Sequence, residues 1–152
     1  MTYMHYCISE TLRIDPSVTN STAIELTENI KIGKYDLLSS SIIVININAL
    51  HHNDNEWKEH NKFIPDRFDP KSEYYLTPVG TKRHPMSYGP FLGGKRICLG
   101  KTFAENIGKC IIPIIISQFD FEFTEKEMYL RKPGNSLVKV EPPYNVIVKF
   151  VA

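Results

Sequence analysis

The residue best placed for chemistry in this sequence is Cys98, which stands between a glycine-containing loop and the predicted start of a helix. Free backbone N–H groups and the helix dipole favour the thiolate form of a cysteine in that position. A thiolate can act as a nucleophile, a redox sensor or a metal ligand, and no histidine lies close enough in the sequence to argue for a Cys-His pair. Arg96, two residues earlier, offers a guanidinium suited to bidentate binding of a carboxylate. Together the two side chains indicate a ligand that combines a soft metal centre with carboxylates, and haem with its propionates fits that description.

Charged residues near the N-terminus form a second pattern. Glu10 and Arg13 are three residues apart, so they share one face of a predicted helix. Taken alone, this spacing favours an ordinary exposed ion pair.

Two further groups of potential ligands have plainer interpretations. His52, Glu56 and His60 are spaced four residues apart and could bind zinc on a helix, but their polar, Asn-rich surroundings and the nearby Pro65 favour a loop without metal. Two other cysteines lie in apolar helical surroundings typical of buried structural thiols, namely Cys7 and Cys110.

The elements that must position these residues follow from the spacing of apolar side chains. A helix is predicted over 1–14, ended by Asp15-Pro16, and a strand region over 19–50, with a hairpin turn at Gly33-Lys34 and a strand in 41–50. Residues 51–94 form a long loop rich in proline and aromatic residues, which is typical of a functional segment. A second helix covers 99–118, where Pro113 should bend or locally break it, and strands separated by a turn at Pro142-Pro143 complete the chain. The expected fold is α+β, mainly α with small β-sheets, in one segment over 1–152.

Composition and charge exclude several classes of protein. The 152 residues are 42% hydrophobic and 23% charged, as in an average globular chain, and the net charge of +1 gives no electrostatic reason to expect nucleic-acid binding. Three cysteines are too few and too scattered for a disulfide framework. The most apolar run, at 111–116, is far shorter than the roughly 20 residues that cross a bilayer as a helix.

Three motifs carry a resemblance to a known family. The order Phe-x-x-Gly-x-Arg-x-Cys-x-Gly at 91–100 resembles the haem-ligand loop of the cytochrome P450 family, the haem-thiolate monooxygenases, and a chance match is expected on the order of once in 10⁵ chains of this length. Residues 10–13 resemble the Glu-x-x-Arg helix of the family, and residues 63–68 resemble the Phe-x-Pro-x-Arg-Phe segment of its meander. Because the motifs occur in the family's order, the resemblance covers essentially the whole chain. It implies the C-terminal part of the P450 fold: Glu-x-x-Arg helix, β hairpin, meander, Cys loop, long helix and C-terminal strands.

The resemblance also implies roles for individual residues. Cys98 would be the axial thiolate of the haem iron, and Arg96 would meet a propionate. The other implied haem-binding residues are Phe91, Gly94 and Gly100. A buried charged triad of Glu10, Arg13 and Arg67 would pin the meander behind the haem, which the three motifs together favour over an exposed ion pair. Five residues are implied candidates for substrate contact, namely Ser17, Val18, Thr19, Leu137 and Val138.

The family's activity sets the expected cofactor and partners. The resemblance implies haem b and the insertion of one oxygen atom of O₂ into a small apolar organic substrate, with electrons that come ultimately from NADPH. These would pass through a reductase or ferredoxin-type partner that docks on a basic surface near Lys95 and Lys101. The charges that define this surface are Lys82, Arg83, Lys95, Arg96, Lys101 and Lys109, opposed by Glu105. A merely solvated face is the alternative interpretation of such a charge run.

The same resemblance predicts what this sequence lacks. Family members are much longer, and we expect the helix that delivers protons to bound oxygen to lie upstream of Met1, together with the anchor that holds eukaryotic relatives on the endoplasmic reticulum, facing the cytosol. The chain would then be either the C-terminal portion of a monooxygenase or a non-catalytic remnant or haem-binding module without the oxygen-activating helix.

Overall fold

The computed structural model describes residues 2–124 and 146–151. Two longer helices frame this part of the chain, α1 (Thr2–Ile14) and α3 (Lys101–Gln118), and a short helix, α2 (Ile47–His51), lies between them in sequence. The strands are β1 (Ile24–Glu25), β2 (Ile30–Ile32), β3 (Tyr35–Leu37), β4 (Ile42–Ile43), β5 (Phe119–Phe123) and β6 (Val146–Phe150). Four single 3₁₀ turns lie at Pro65–Phe68, Glu73–Tyr75, Pro85–Ser87 and Gly94–Arg96.

The strands form three two-stranded antiparallel sheets. β2 and β3 are joined by the predicted turn, where Gly33 has a φ of 58° that suits glycine. β1 pairs with β4 around this hairpin, and β5 pairs with β6, with Phe119 opposite Phe150. The expected hairpin and C-terminal strands are therefore confirmed, while the turn at Pro142-Pro143 lies outside the described residues.

The predicted strand over 41–50 is wrong for most of its length. β4 covers only Ile42–Ile43, and the chain then enters α2. The cause is local, because the Asn46 side chain accepts a hydrogen bond of 2.8 Å from the Ala49 N–H and so caps a helix where the Ile and Asn alternation indicates a strand.

Of the two effects predicted for Pro113, a bend or a local break, the break does not occur. α3 continues through this residue to Gln118 as one helix. Proline removes a single N–H donor from the helical ladder, and in this helix the loss does not end the element. Cys110 lies exposed on α3, so it is not the buried structural thiol that its apolar neighbours indicate.

The interior of the described part is mostly polar. Ile47 and Trp57 are its buried hydrophobic residues, whereas Glu10, Arg13 and Arg67 are fully buried beside them. α1 lies against α2, α3 and the turn Pro65–Phe68. In contrast, α3 exposes much of its apolar surface, including Phe103, Ile111 and Ile114. No helix within the described ranges is long and apolar enough to cross a membrane.

Candidate functional site

The structure brings Glu10, Arg13 and Arg67 together in one buried ion cluster. Arg13 donates from Nε to Oε2 of Glu10 at 2.8 Å and from Nη2 to Oε1 at 2.8 Å, so the pair is bidentate. Arg67 donates from Nε to the same Oε1 at 3.1 Å. All three residues have an exposed fraction of 0%. The i,i+3 pair on α1 thus becomes a three-residue cluster because the turn Pro65–Phe68 delivers a second guanidinium.

Backbone groups form further hydrogen bonds with the three side chains of the ion cluster. Oε1 of Glu10 also accepts from the Ile64 N–H at 2.9 Å. Arg13 donates from Nη1 to the His51 carbonyl at 2.8 Å, and Arg67 donates from Nη2 to the Glu59 carbonyl at 2.8 Å. Burial lowers the pKa of Arg67, while the Glu10 carboxylate opposes that shift. Buried charges are tolerated when they are paired and hydrogen-bonded in this way, so the cluster can fix α1 to the loop that follows α2.

Arg83 extends this arrangement, although the charge run predicts it on an exposed basic surface, whether for docking or merely solvated. The structure half-buries it, and its guanidinium donates to the Tyr74 carbonyl at 2.8 Å and to the Arg67 carbonyl. Its guanidinium carbon lies 4.4 Å from the centre of the Trp57 ring, which is a cation–π distance. Burial, with a further contribution from Arg67, lowers the pKa of Arg83 to about 10. The sequence signal for this position of Arg83 is Trp57, because a large aromatic ring is usually buried and offers a surface on which a guanidinium can stack.

The Cys98 loop, defined as residues 89–100, is shaped by its own backbone. The Cys98 N–H donates to the Phe91 carbonyl at 2.9 Å, and the Leu92 N–H donates to the Gly89 carbonyl at 3.0 Å. Gly94 has a φ of 65°, where glycine is favoured. The Lys101 N–H then donates to the Cys98 carbonyl at 3.2 Å as α3 begins. The cysteine therefore stands at the entrance to a helix.

The loop meets the chemical requirements of a haem site on several points. Cys98 is a free cysteine with an exposed side chain, and Arg96 is exposed as well. A Cβ built on Gly94 meets nothing within 4 Å, and one built on Gly100 lies 3.8 Å from Sγ of Cys98, so the surface beside the sulfur is open. A Cβ on Gly93 would instead come within 2.9 Å of Cε of Met86. Cys98 could provide one sulfur ligand, and Arg96 could bind a carboxylate. Haem needs these two groups, because its macrocycle already supplies four ligands to the iron and carries carboxylates.

The alternative zinc site lacks the helix that it needs. No helix spans His52, Glu56 and His60. His60 pairs with Asp54 at 2.8 Å, and Glu56 accepts from the backbone N–H of His84 at 2.9 Å. Within residues 2–124 and 146–151, no three histidine, cysteine or acidic side chains gather as a metal site.

The other sequence-predicted residues lie in different environments. Phe91 is half-buried and, with Leu92, borders a cleft of about 290 Å³ between α1 and α3. Ser17 and Val18 are exposed, whereas Thr19 is buried and accepts from the Ile47 N–H at 2.8 Å. The remaining candidates for substrate contact, Leu137 and Val138, lie outside the described residues.

The basic surface is smaller than the sequence indicates. Lys95 and Arg96 are exposed beside the cysteine, and neither takes part in an ion pair with any described residue. Lys101 is half-buried and pairs with Glu105 at 3.2 Å on the first turn of α3. With Arg83 half-buried against Trp57, the exposed charge next to the loop is concentrated at positions 95 and 96.

One buried residue near the loop carried no motif in the sequence. His51, at the end of α2, has an exposed fraction of 0% and bonds through both ring nitrogens. Its Nδ1 lies 3.2 Å from the Arg13 carbonyl, and its Nε2 lies 3.0 Å from the Gly89 backbone nitrogen. Burial lowers the pKa of His51 to about 4, which keeps the ring neutral. The histidine therefore links the ion cluster to the first residue of the Cys98 loop.

Comparison with known families gives one match over almost the whole chain. The family model described as Cytochrome P450 matches residues 1–148. Among curated proteins, the chain is 33% identical to cytochrome P450 4F4 of Rattus norvegicus over 147 residues, which cover 92% of this chain and 27% of that protein. It is 36% identical to taurochenodeoxycholic 6 alpha-hydroxylase of Sus scrofa over 121 residues, covering 79% of this chain and 22% of the relative. The chain spans about a quarter of the length of such relatives.

Solved structures show the same similarity in three dimensions. The retinoic acid bound cyanobacterial CYP120A1 superimposes with a TM-score of 0.84 at 24% identity, covering 99% of this chain and 33% of that one. The heme domain of cytochrome P450DA superimposes with a TM-score of 0.80 at 26% identity, covering 98% of this chain and 31% of the neighbour. The expected fold class is thereby confirmed, including its small sheets and few helices.

Proposed function

Because this chain belongs to the cytochrome P450 family, we propose that it provides the thiolate side of the active site of a haem monooxygenase, with Cys98 as the axial ligand of the iron. The observation that carries this proposal is the state of Cys98 in the structure. Its thiol is exposed and unpaired, while its backbone is held between the Phe91 carbonyl and the first turn of α3. A ligand to a bound cofactor needs both properties, because the sulfur must be accessible and its position must be fixed.

Each residue of the loop has a distinct task in this proposal. Cys98, which lies just before the first turn of α3, would bind the iron through its sulfur. Arg96 binds a propionate through its exposed guanidinium. Gly94 and Gly100 leave room for the macrocycle beside the sulfur, and Phe91 supports the loop from the α1 side. Haem b, when bound, would supply the oxygen-activating chemistry, which a thiolate ligand favours by donating electron density.

The ion cluster serves as the scaffold of this site. Glu10 and Arg13 belong to α1, and Arg67 belongs to the loop that precedes the cysteine segment, so their hydrogen bonds hold these two parts in register. The cluster is fully buried, whereas the Cys98 thiol is exposed. Its task is to keep the surface behind Cys98 rigid.

The substrate, the partner and the location follow from the family. Relatives named for hydroxylation of steroids and of a taurochenodeoxycholic compound support a small apolar organic substrate and O₂. We assign electron delivery, ultimately from NADPH, to an acidic reductase or ferredoxin-type protein that docks near Lys95 and Lys101, where Lys95 and Arg96 are the exposed cations next to the loop. The expected setting is the cytosolic side of the endoplasmic reticulum.

Haem titration of the chain tests the assignment of Cys98. Thiolate ligation gives the reduced carbon monoxide complex a strongly red-shifted Soret band, so this band should form in the wild type and disappear in Cys98→Ala. Cys110→Ala is the matched control, because it removes another exposed cysteine on the following helix and should leave the band in place. A band that survives in Cys98→Ala, or one lost in Cys110→Ala, contradicts the assignment.

A further inference from the structure

We propose that His51 is a positioning residue that fixes the Cys98 loop relative to the ion cluster, through a hydrogen bond that its neutral ring accepts from the Gly89 N–H. The proposal rests on the proposed function only in naming Cys98 as the group that is positioned. No sequence motif marks His51, and its role follows from the contacts that the fold creates.

The contacts of the imidazole determine its tautomer. A backbone N–H can only donate, so Nε2 must accept from Gly89, at 3.0 Å. The proton therefore lies on Nδ1, which donates to the Arg13 carbonyl at 3.2 Å. Both bonds are buried and each joins residues 38 positions apart in the sequence. A single side chain thus connects α1, the end of α2 and the start of the Cys98 loop.

The ring is also held in place by packing. It stacks on the Tyr88 ring with centroids 5.4 Å apart and an interplanar angle of 23°. The Tyr88 hydroxyl donates to the Ser9 carbonyl on α1 at 3.1 Å. Tyr88 directly precedes Gly89, so the hydrogen bond from Tyr88 to Ser9 also holds the start of the Cys98 loop against α1.

A short series of backbone hydrogen bonds leads from Gly89 to the cysteine. The Gly89 carbonyl accepts from the Leu92 N–H at 3.0 Å, which closes a tight turn. Within that turn, the Phe91 carbonyl accepts from the Cys98 N–H at 2.9 Å. A displacement of Gly89 therefore shifts the acceptor that holds the cysteine. His51 acts at the first bond of this series.

The bond can be detected directly in the unmodified chain. A scalar coupling across the hydrogen bond between the ¹⁵N nuclei of the Gly89 amide and His51 Nε2 is expected in the labelled, folded protein. The ring nitrogen shifts should show a protonated Nδ1 and an unprotonated Nε2. A folded chain with the proton on Nε2 would overturn the proposal.

A matched pair of variants tests the consequence for the cysteine. His51→Gln places an amide oxygen near the Nε2 position and can still accept from Gly89, whereas His51→Asn reaches only the Arg13 carbonyl. Each variant loses one hydrogen bond and the ring stacking, so a merely structural role predicts equal effects. We expect the Cys98 amide to exchange with deuterium roughly fivefold faster in His51→Asn than in His51→Gln, since one hydrogen bond is lost from the series.

Two controls keep this result interpretable. Fluorescence of Trp57, the single tryptophan, reports whether both variants are folded under the exchange conditions. Equal exchange of the Cys98 amide in the two variants overturns the proposal, and if either variant fails to fold, the coupling measured on the wild type decides it. Loss of the haem assignment in the Cys98→Ala experiment would refute the proposed function but would leave this exchange result unchanged, so the two failures are distinguishable.

Discussion

Glu10 and Arg67 are 57 residues apart in the sequence, yet the carboxylate oxygen Oε1 and the guanidinium Nε meet at 3.1 Å in an environment with no solvent exposure. The same oxygen receives Arg13 and the Ile64 N–H. One carboxylate therefore neutralises part of two guanidinium charges and fixes the entry to the turn Pro65–Phe68. In the described part, the fully buried residues around this acceptor are charged, while Ile47 and Trp57 are the buried hydrophobic residues.

Replacing Glu10 by Gln should be severely destabilising. The change leaves two buried guanidinium groups without their counter-charge, and the loss of one partner from a buried pair typically costs about 3–5 kcal/mol in the free energy of unfolding. Urea denaturation followed by Trp57 fluorescence measures the loss. Asp36→Asn, which breaks the exposed pair with Lys31 in β2 and β3, is the matched control and should leave the midpoint unchanged. Comparable midpoints for the two variants would contradict the assigned role.

The stability of the chain should fall in mild acid because of His51. Burial lowers its pKa from 6.5 to about 4, so between these values the unfolded state binds a proton that the folded state does not. The free energy of unfolding is then highest above pH 6.5 and decreases as the pH falls towards 4, by about 3 kcal/mol at most. His52, whose pKa burial also lowers, adds to the same trend.

The variant His51→Gln separates this contribution from the others. It removes the titrating ring, so the difference in the free energy of unfolding between pH 7 and pH 5 should become smaller than in the wild type. His5→Gln, at an exposed position of α1, should retain the full wild-type difference. A pH dependence that is identical in the wild type and His51→Gln would show that the histidine does not titrate on unfolding.

Gly→Ala substitutions at two positions should change the free energy of unfolding in opposite directions. At Gly94 the backbone φ of 65° strains an alanine, although there is open space for its side chain. We expect Gly94→Ala to lower the free energy of unfolding by about 1 kcal/mol, and Gly94→Asn to lower it by less. At Gly108, inside α3, a Cβ would make an ordinary contact of 3.6 Å with Ile8, so alanine should stabilise by up to about 1 kcal/mol. Denaturation midpoints of the variants check both signs, and a loss at both positions would contradict the local geometry.

Arg83→Lys should be far from conservative. Arg83 donates to the Tyr74 and Arg67 carbonyls from two different nitrogens of one planar group that stacks on Trp57, and lysine has no such planar group. The expected cost is about 2–4 kcal/mol, with a change in the Trp57 emission of the folded state. Lys82→Arg, at the neighbouring exposed position, should change neither quantity. An unchanged emission spectrum in Arg83→Lys would argue against the stacked arrangement.

Electron transfer from an acidic partner should depend on salt and on Lys95. Exposed charges are screened within about 10 Å at 0.1 M ionic strength, so the rate of reduction should fall steeply as salt is added. Lys95→Glu should lower the rate at low salt and flatten this dependence, whereas Lys34→Glu, at the turn between β2 and β3, should do neither. A reduction rate insensitive to ionic strength would remove docking at this surface.

The sequence by itself determined the main helices and the hairpin, and it singled out the Cys98 loop as a candidate site. Periodicity placed α1, the hairpin at Gly33 and α3 almost within their observed bounds, because these signals are local. The motif order indicated which fold the elements belong to. Predictions from local patterns were wrong at two places. The Asn46 side chain caps a helix where the alternation indicates a strand, and Arg83 is half-buried where the charge run indicates an exposed residue.

Only the tertiary structure decided which groups meet. Nothing in the spacing of His51 shows that its two ring nitrogens join α1 to the Cys98 loop, because both bonds go to backbone groups 38 residues away. Nearly every residue has the same backbone N–H and carbonyl groups, so the sequence does not show which of them a buried histidine ring will bind. The neighbours of Cys98 in the sequence predict it as a candidate ligand, while the contacts that hold it in place form only when the chain folds.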